Sequence, residues 1–306
     1  MKRILITGAG SYIGTGVEAY LLRYNAAQGR EIYRVDTISQ LDDSWKNYNF
    51  APYDTVFHVT GIAHADVGNV TEETKALYYR VNRDLAWETA QKAREQGVKQ
   101  FIYMSSIIVY GESAPAGAVK RITSDTLPAP ANFYGDSKKQ AEEAILPLAD
   151  EQFRVAVLRP PMMYGPNSKG NYPLLARLAG VTPVFPEIAN ERSVLFLDNL
   201  AEFVRLLIES GKGGIFFPQN SEYVTTAQMV RAIGEVRGRR ILLWKILNPF
   251  VRLAGRIPGK IGRLVNKAFG SLTVDKELST RDFEGYCKVS FEESIRRTES
   301  GRIENS

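Results

Sequence analysis

Tyr134-Gly135-Asp136-Ser137-Lys138 sets a phenol and an ammonium four residues apart. On a helix that spacing puts both side chains on one face. A nearby ammonium favours the phenolate and draws the tyrosine pKa down from its ordinary value of about 10, which makes the phenol a usable acid or base. Ser106 closes an apolar run, Gln100 to Met104, that reads as a buried strand. Open α/β sheets keep their ligands at the carboxyl ends of such strands, where a serine hydroxyl can orient a substrate hydroxyl or carbonyl toward Tyr134. The tyrosine–lysine spacing alone is equally that of an exposed helix. Its meaning depends on what accompanies it.

Gly8-Ala9-Gly10-Ser11-Tyr12-Ile13-Gly14 follows the apolar run Lys2 to Thr7 and precedes a stripe of Ile13, Val17, Tyr20, Leu21 and Tyr24 at helical spacing. Glycines in a strand-to-helix turn let backbone approach a pyrophosphate, and the helix N-terminus adds unpaired N–H groups and a positive dipole end. A second short strand, Ile32 to Val35, ends at Asp36, 22 residues past Gly14 and about where a ribose-binding carboxylate belongs. A carboxylate there favours NAD and repels the extra phosphate of NADP, without excluding it. The segment from Asp36 to Asp54 is short for a full third strand, so a merged strand with Asp42 or Asp43 toward the adenine is the alternative.

These residues need elements to hold them. Thr55 to Val59 reads as a strand, Val81 to Gln96 as a helix stopped by Gly97, and Ala131 to Ala149 as a helix. Arg154 to Leu158 reads as a strand that stops at Arg159-Pro160-Pro161. Strands alternating with helices imply a parallel sheet covered on both faces. The fold class is α/β, a Rossmann doubly wound sheet with a smaller C-terminal substrate lobe. Residues 1–160 form the dinucleotide domain. Residues 161–306 form a lobe interleaved with the last strands, carrying a helix Leu200 to Glu209 capped by Asp198 or Asn199, a strand Gly214 to Phe217 and a helix Thr226 to Val236.

Taken together, the sequence resembles the extended short-chain dehydrogenase/reductase family, of the NAD-dependent epimerase/dehydratase type. The matching pieces are Thr7 to Gly14, His58-Val59-Thr60-Gly61, Val81-Asn82, Met104-Ser105-Ser106 with Val109-Tyr110-Gly111, and Tyr134 to Lys138. Arg159 to Pro166 and Arg192-Ser193 with Asp198-Asn199-Leu200 follow in family order. The resemblance covers roughly residues 2–240. It implies catalysis by Ser106, Tyr134 and Lys138, with Lys138 also bonding the nicotinamide ribose. It implies cofactor contacts from Gly8, Gly10, Ser11, Tyr12, Ile13, Gly14, Asp36, Val59, Thr60, Gly61, Asn82 and the Pro160-Pro161 backbone. Asn171, after Lys169-Gly170, and Arg192 look like contacts to the diphosphate of a nucleotide-sugar. His64 either faces the sugar or bonds loop backbone. The implied activity is 4-epimerisation of a UDP-hexose by hydride transfer at C4, in bacterial surface-polysaccharide synthesis. The alternatives are an NAD(P)H-dependent reductase of a UDP-4-keto-sugar and a non-catalytic NAD(P)-sensing protein. The family also implies a homodimer through the helices Val81 to Gln96 and Tyr134 to Ala149. Two departures stand out: Ser11 occupies the place of a glycine, and Thr60 and Gly61 the places of two alanines.

Composition narrows the remaining classes. One cysteine, Cys287, and two histidines, His58 and His64, offer neither a disulfide nor a cysteine metal cluster. There is no apolar run long enough to cross a membrane and no secretory leader, which points to the cytoplasm. The net charge of +5 is carried by one segment: ten basic residues against Glu235 from Arg231 to Gly270, or +9, which leaves −4 elsewhere. Within residues 241–269, Ile257, Ile261, Leu264, Val265 and Ala268 alternate with Arg252, Arg256, Lys260, Arg263 and Lys267 at helical spacing. The expectation is a piece of the substrate lobe that packs its apolar side and turns charge toward a diphosphate. The alternative, suggested by Trp244 and Phe250, is peripheral contact with an anionic membrane surface. No nucleic-acid-reading motif accompanies the charge.

Overall fold

The computed structural model describes residues 1–63 and 70–303, so the expectation for His64 falls outside the described residues. In chain order the elements are β1 (Lys2–Thr7), α1 (Tyr12–Ala27), β2 (Tyr33–Ile38), β3 (Thr55–His58), α2 (Glu72–Tyr79), α3 (Leu85–Glu95), β4 (Gln100–Met104), β5 (Arg121–Ile122), α4 (Phe133–Ile145) and β6 (Arg154–Leu158). They continue as β7 (Met162–Tyr164), α5 (Asn171–Val181), β8 (Val184–Pro186), β9 (Val194–Phe196), α6 (Leu197–Ser210), β10 (Gly214–Phe216), α7 (Thr226–Val236), β11 (Leu242–Trp244), α8 (Asn248–Gly255), α9 (Lys260–Phe269), β12 (Thr273–Val274), α10 (Lys276–Thr280) and α11 (Phe291–Ile303).

Six of these strands form one parallel sheet in the order β10-β6-β4-β3-β1-β2. Its inner strands are apolar at nearly every position because both faces are covered. Ile4, Ile6, Phe57, Ile102, Ala156 and Leu158 face Val17 and Leu21 of α1 and Leu200 and Val204 of α6. Leu5, Val56, Phe101, Tyr103, Val155 and Val157 point the other way, against the alanines of α3 and Ala141 and Ile145 of α4. Chain order reverses direction at β1, which lies between β2 and β3. That switch point is where a doubly wound sheet opens its ligand crevice.

The structure departs from the sequence reading at four places. β2 does not end at Asp36 but runs on to Ile38, whose carbonyl accepts from the amides of Gly8 and Ala9 at 2.9 Å each. Between β2 and β3 the chain forms a 3-10 turn, Asp43–Asn47, in place of a third strand. Asp42 caps it by accepting from the Ser44 amide at 2.9 Å, and Trp45 plugs the core. The helix expected at Val81 begins earlier, at α2, and joins α3 through a π-helical turn, Arg80–Asp84. Finally, α6 begins at Leu197, so Asp198 and Asn199 lie inside its first turn and neither caps it. The Asn199 amide instead donates to Asn220 Oδ1 and to the Val289 carbonyl, both at 3.0 Å.

Residues beyond β6 build a second core, in which Tyr164, Tyr172, Phe185, Phe196, Val230 and Ile295 pack α5, α7 and α11 together. α6 and β10 return to the large sheet. Asn171, which follows Lys169-Gly170, is the first residue of α5. Among the described residues, no helix is long and apolar enough to cross a membrane.

Candidate active site

The glycine turn sits at the switch point. Gly8 and Gly10 have φ of +96° and +73°, a region that favours glycine. A Cβ at Gly8 would stand 3.0 Å from the Thr60 amide, so the ends of β1 and β3 close on each other there. At Gly10 a Cβ would meet nothing within 4 Å, and backbone faces open space above the start of α1. Ser11 is the N-cap of α1, accepting from the Gly14 amide at 3.1 Å. A Cβ at Gly14 would collide with that hydroxyl oxygen at 2.7 Å and press Val59 and Ile6. Ser11 therefore replaces a glycine without opening the turn, because its hydroxyl does capping work. Ile13 packs on the core below, and the Tyr12 hydroxyl lies against Gly165. A turn this tight, with helix N–H groups above it, fits a dinucleotide pyrophosphate.

The three catalytic candidates come from two adjoining elements. Ser106 follows β4 and starts a 3-10 turn, Ile107–Tyr110, by accepting from the Ile108 amide at 3.2 Å. Asn132 starts α4 in the same manner, accepting from the Gly135 amide at 3.0 Å. A Cβ at Gly135 would stand 2.7 Å from the Ile108 carbonyl oxygen, so only glycine lets the two turns meet this closely. That approach brings the Tyr134 phenol close enough to the Ser106 hydroxyl for Ser106 to pull its pKa down. Lys138, one helical turn on, is buried. Its Nζ donates to the Met104 carbonyl at 2.8 Å and stands 4.7 Å over the Tyr103 ring. It would lie 3.2 Å from a Cβ at Gly61, at the end of β3.

The electrostatics differ from the sequence expectation. Burial raises the Tyr134 phenol to about 12, and the neighbouring Ser106 hydroxyl pulls it down only in part. Burial also lowers the Lys138 ammonium to about 8, against an upward pull from Glu142. The Lys138 ammonium donates to the Met104 carbonyl, and burial outweighs the other influences on the phenol. His58 is buried beside it, with Nδ1 2.8 Å from the Thr7 hydroxyl and its ring stacked on Phe101 and Tyr103. Burial, with Lys138 adding to it, drops the imidazole to about 3, so it stays neutral.

Supporting residues hold this arrangement, and sequence reasoning passed over two of them, Glu142 and Arg159. Glu142 lies four residues beyond Lys138 on α4. It accepts from Ser105 Oγ at the end of β4 and pairs with Arg159 at the end of β6 at 2.5 Å, both partners buried. Arg159 also donates to Tyr110 Oη at 2.5 Å. A charged residue closing the apolar run Val155-Ala156-Val157-Leu158 was the available signal. Asn82, in the π turn, accepts from the Ile62 amide at 2.8 Å and donates to Ser137 Oγ at 3.1 Å. It thus ties the loop after β3 to the catalytic helix, and Ser137 in turn donates to the Tyr134 carbonyl.

The remaining candidates are placed as follows. Thr60 donates to Gln40 Oε1 at 2.6 Å and Val59 to the Thr7 carbonyl, both at the crevice. Pro160 and Pro161 are buried beside Ser106, with the Pro160 carbonyl accepting from the Ile107 amide. Asp36 stands mid-strand, opposite Leu5, where it accepts from Tyr53 Oη at 2.9 Å and lies 3.9 Å from Arg3 at the far end of β1. It is two residues short of the rim, and Ser39 and Gln40 hold the position expected of it. Arg192 does not open into the crevice. Its Nη1 donates to the Lys267 and Ala268 carbonyls at 2.6 and 3.4 Å, closing the end of α9.

Comparison with known proteins bears on this geometry directly. The sequence profile of the NAD dependent epimerase/dehydratase family matches residues 4–217. The chain belongs to that family. As a member it is an NAD-dependent enzyme of the epimerase/dehydratase type. UDP-glucose 4-epimerase of Vibrio cholerae is 30% identical over 297 residues, 90% of this chain and 87% of that one. N-acetyl-alpha-D-glucosaminyl-diphospho-ditrans,octacis-undecaprenol 4-epimerase of Escherichia coli O157:H7 is 24% identical over 298 residues, 92% of this chain and 87% of that one. The crystal structure of UDP-glucuronic acid 4-epimerase from Bacillus cereus in complex with NAD superposes with a TM-score of 0.72 over 99% of each chain at 15% identity, a likeness of fold.

Proposed function

We propose that this family member is a 4-epimerase of a nucleotide-sugar, a UDP-hexose, with Ser106, Tyr134 and Lys138 as its catalytic residues. The observation that carries the reading is the close meeting of the Ser106 turn and the start of α4 at Gly135, which sets Ser106 beside Tyr134 one helical turn from the buried Lys138. NAD, when bound, supplies the acceptor that takes the C4 hydride and returns it. Ser106 holds the C4 oxygen, and Tyr134 takes its proton as the C–H bond breaks and gives it back to the opposite configuration. The Gly8 to Gly14 turn, Val59, Thr60 and Gly61 line the cofactor crevice, with Pro160 and Pro161 bordering it. Ser39 and Gln40, rather than Asp36, reach the adenine ribose. Asn171 lies toward the sugar diphosphate, and Arg192 closes the end of α9 instead. A homodimer through the face of α3 and α4, where Trp87 is exposed, is part of the same reading.

The likeness to the Escherichia coli enzyme favours a second reading, in which the sugar is carried on a polyprenyl diphosphate in place of a nucleotide. Product analysis separates the two. UDP-glucose, UDP-N-acetylglucosamine and their galacto isomers are incubated with the enzyme and trace NAD, alongside the polyprenyl-diphosphate sugar. Interconversion of a UDP pair without net NADH is the expected result, and interconversion of the lipid-linked pair alone selects the second reading. Tyr134→Phe should lower turnover by at least about 100-fold and leave NAD binding within a factor of about two. Normal turnover in that variant removes the mechanism.

A further inference from the structure

The segment between β11 and α9 does not bury its apolar residues as its periodicity suggests. Ile246, Phe250, Leu253, Ile261 and Leu264 are 72, 69, 63, 59 and 54% exposed, and Trp244 is 48% exposed. Phe250 and Leu253 are three apart in α8, and Ile261 and Leu264 three apart in α9, so each helix presents an apolar stripe outward. The two helices pack on each other, with the Asn266 side-chain amide donating to the Gly255 carbonyl at 2.9 Å. Residues 241–269 contain six basic residues and no acid. Arg252, Arg256, Arg263 and Lys267 are exposed, and among the described residues no carboxylate lies within ion-pair distance of them. Exposed aromatic and aliphatic side chains flanked by unpaired cations match the headgroup layer of an anionic bilayer, apolar below and negatively charged above.

Charge decides against a second copy of this chain as the occupant. A two-fold interface would bring this face against itself, with cation facing cation. The hairpin is also joined to the catalytic cleft. The Ala116 amide donates to Asn266 Oδ1 at 3.0 Å and the Ala114 amide to the Ser271 carbonyl at 3.0 Å, both from the loop that follows the Ser106 turn. Arg192 holds the end of α9. A surface seated on the hairpin would therefore lie beside the entrance to the site.

We propose that the α8–α9 hairpin docks the enzyme onto an anionic lipid bilayer, with Trp244, Phe250, Leu253, Ile261 and Leu264 entering the headgroup layer and the flanking arginines and lysines engaging lipid phosphates. The test is co-sedimentation of the full chain with phosphatidylglycerol-rich vesicles and with phosphatidylcholine vesicles, at low and moderate salt. The expected result is binding to the anionic vesicles alone, weakened by salt. Each basic residue at such a surface changes affinity about fivefold, so Arg252→Glu/Arg263→Glu should lose binding by more than about tenfold. Phe250→Ser/Leu264→Ser should lose it comparably, with the thermal melt of both variants matching the parent because all four side chains are exposed. Trp244 emission should shift to the blue on adding anionic vesicles, and the shift should vanish in Trp244→Phe. Absence of binding to anionic vesicles at low salt overturns the proposal, as does binding that survives both double substitutions. A concentration-dependent dimer that Phe250→Ser/Leu264→Ser disperses assigns the face to a second copy and overturns it too. Sedimentation does not use the reaction, so failure of the epimerase reading leaves this result standing, and the reverse.

Discussion

Lys138 is the residue at which chemistry and stability pull apart. Its ammonium is enclosed by Met104, Tyr103 and Gly61, and burial lowers it from 10.5 to about 8. Below pH 8 both folded and unfolded chains hold the proton, and the folded state bears the whole desolvation cost. Between pH 8 and 10.5 the unfolded chain keeps a proton that the folded one has released, so unfolding free energy rises with pH. Relative to Lys138→Met, the nucleotide-free parent should gain up to about 1.4 kcal/mol per pH unit in that window. Urea melts of both proteins from neutral to alkaline pH measure it, and a constant difference would refute the buried charge. Asp36 carries a different prediction. It is held by Tyr53 two residues below the rim, and with Ser39 and Gln40 proposed to reach the ribose, Asp36→Asn should leave the ratio of NAD to NADP affinity within about threefold. A tenfold swing toward NADP in titrations with both nucleotides would return the carboxylate to the cofactor. Spacing along the chain points to Asp36, whereas the end of β2 is set two residues further on, where Gly8 and Ala9 bond the Ile38 carbonyl.

α4 is the element on which the site depends, and its position is set by groups that carry no chemistry. Glu142 bridges the ends of β4 and β6 through Ser105 and Arg159, and Gly135 admits the Ile108 carbonyl. Removing one member of a buried ion pair leaves the other charged and unpaired, which costs about 3–5 kcal/mol, while replacing both by apolar residues of similar size is often neutral. Glu142→Met should therefore destabilise the protein by about 3 kcal/mol, and Glu142→Met/Arg159→Met should recover most of it. A double-mutant cycle by chemical denaturation checks this, and additive losses would mean that the two side chains act separately. The elements themselves were legible in the sequence. β4, β6 and α7 have the expected bounds because apolar runs and periodicity define them. The π turn at Arg80–Asp84 was not, since one extra residue inside a helix leaves no compositional mark, and the Asn82 side chain owes its direction to that turn.

At the scale of the whole molecule, the cofactor crevice was readable because local motifs write it, whereas the substrate side depends on contacts between distant segments. Arg192 shows the difference. Its backbone bridges Val224 on one side and Leu272 on the other, and its guanidinium closes α9 at Lys267 and Ala268. Four stretches of chain meet at one residue, and no spacing in the sequence announces it. Charge-assisted bonds to carbonyls are worth about 1.5–3 kcal/mol each, and about 1.4 kcal/mol is a tenfold change in an opening equilibrium. Arg192→Met should accordingly speed amide exchange in the last turn of α9 by about tenfold or more while changing NAD affinity by less than about threefold, because the glycine turn lies across the crevice. Exchange by mass spectrometry and a nucleotide titration on the same variant decide between the roles open to this side chain. Undisturbed α9 protection combined with a tenfold rise in KM for the nucleotide-sugar would place the guanidinium on the diphosphate instead, and the closure of α9 would then be a resting arrangement that substrate displaces.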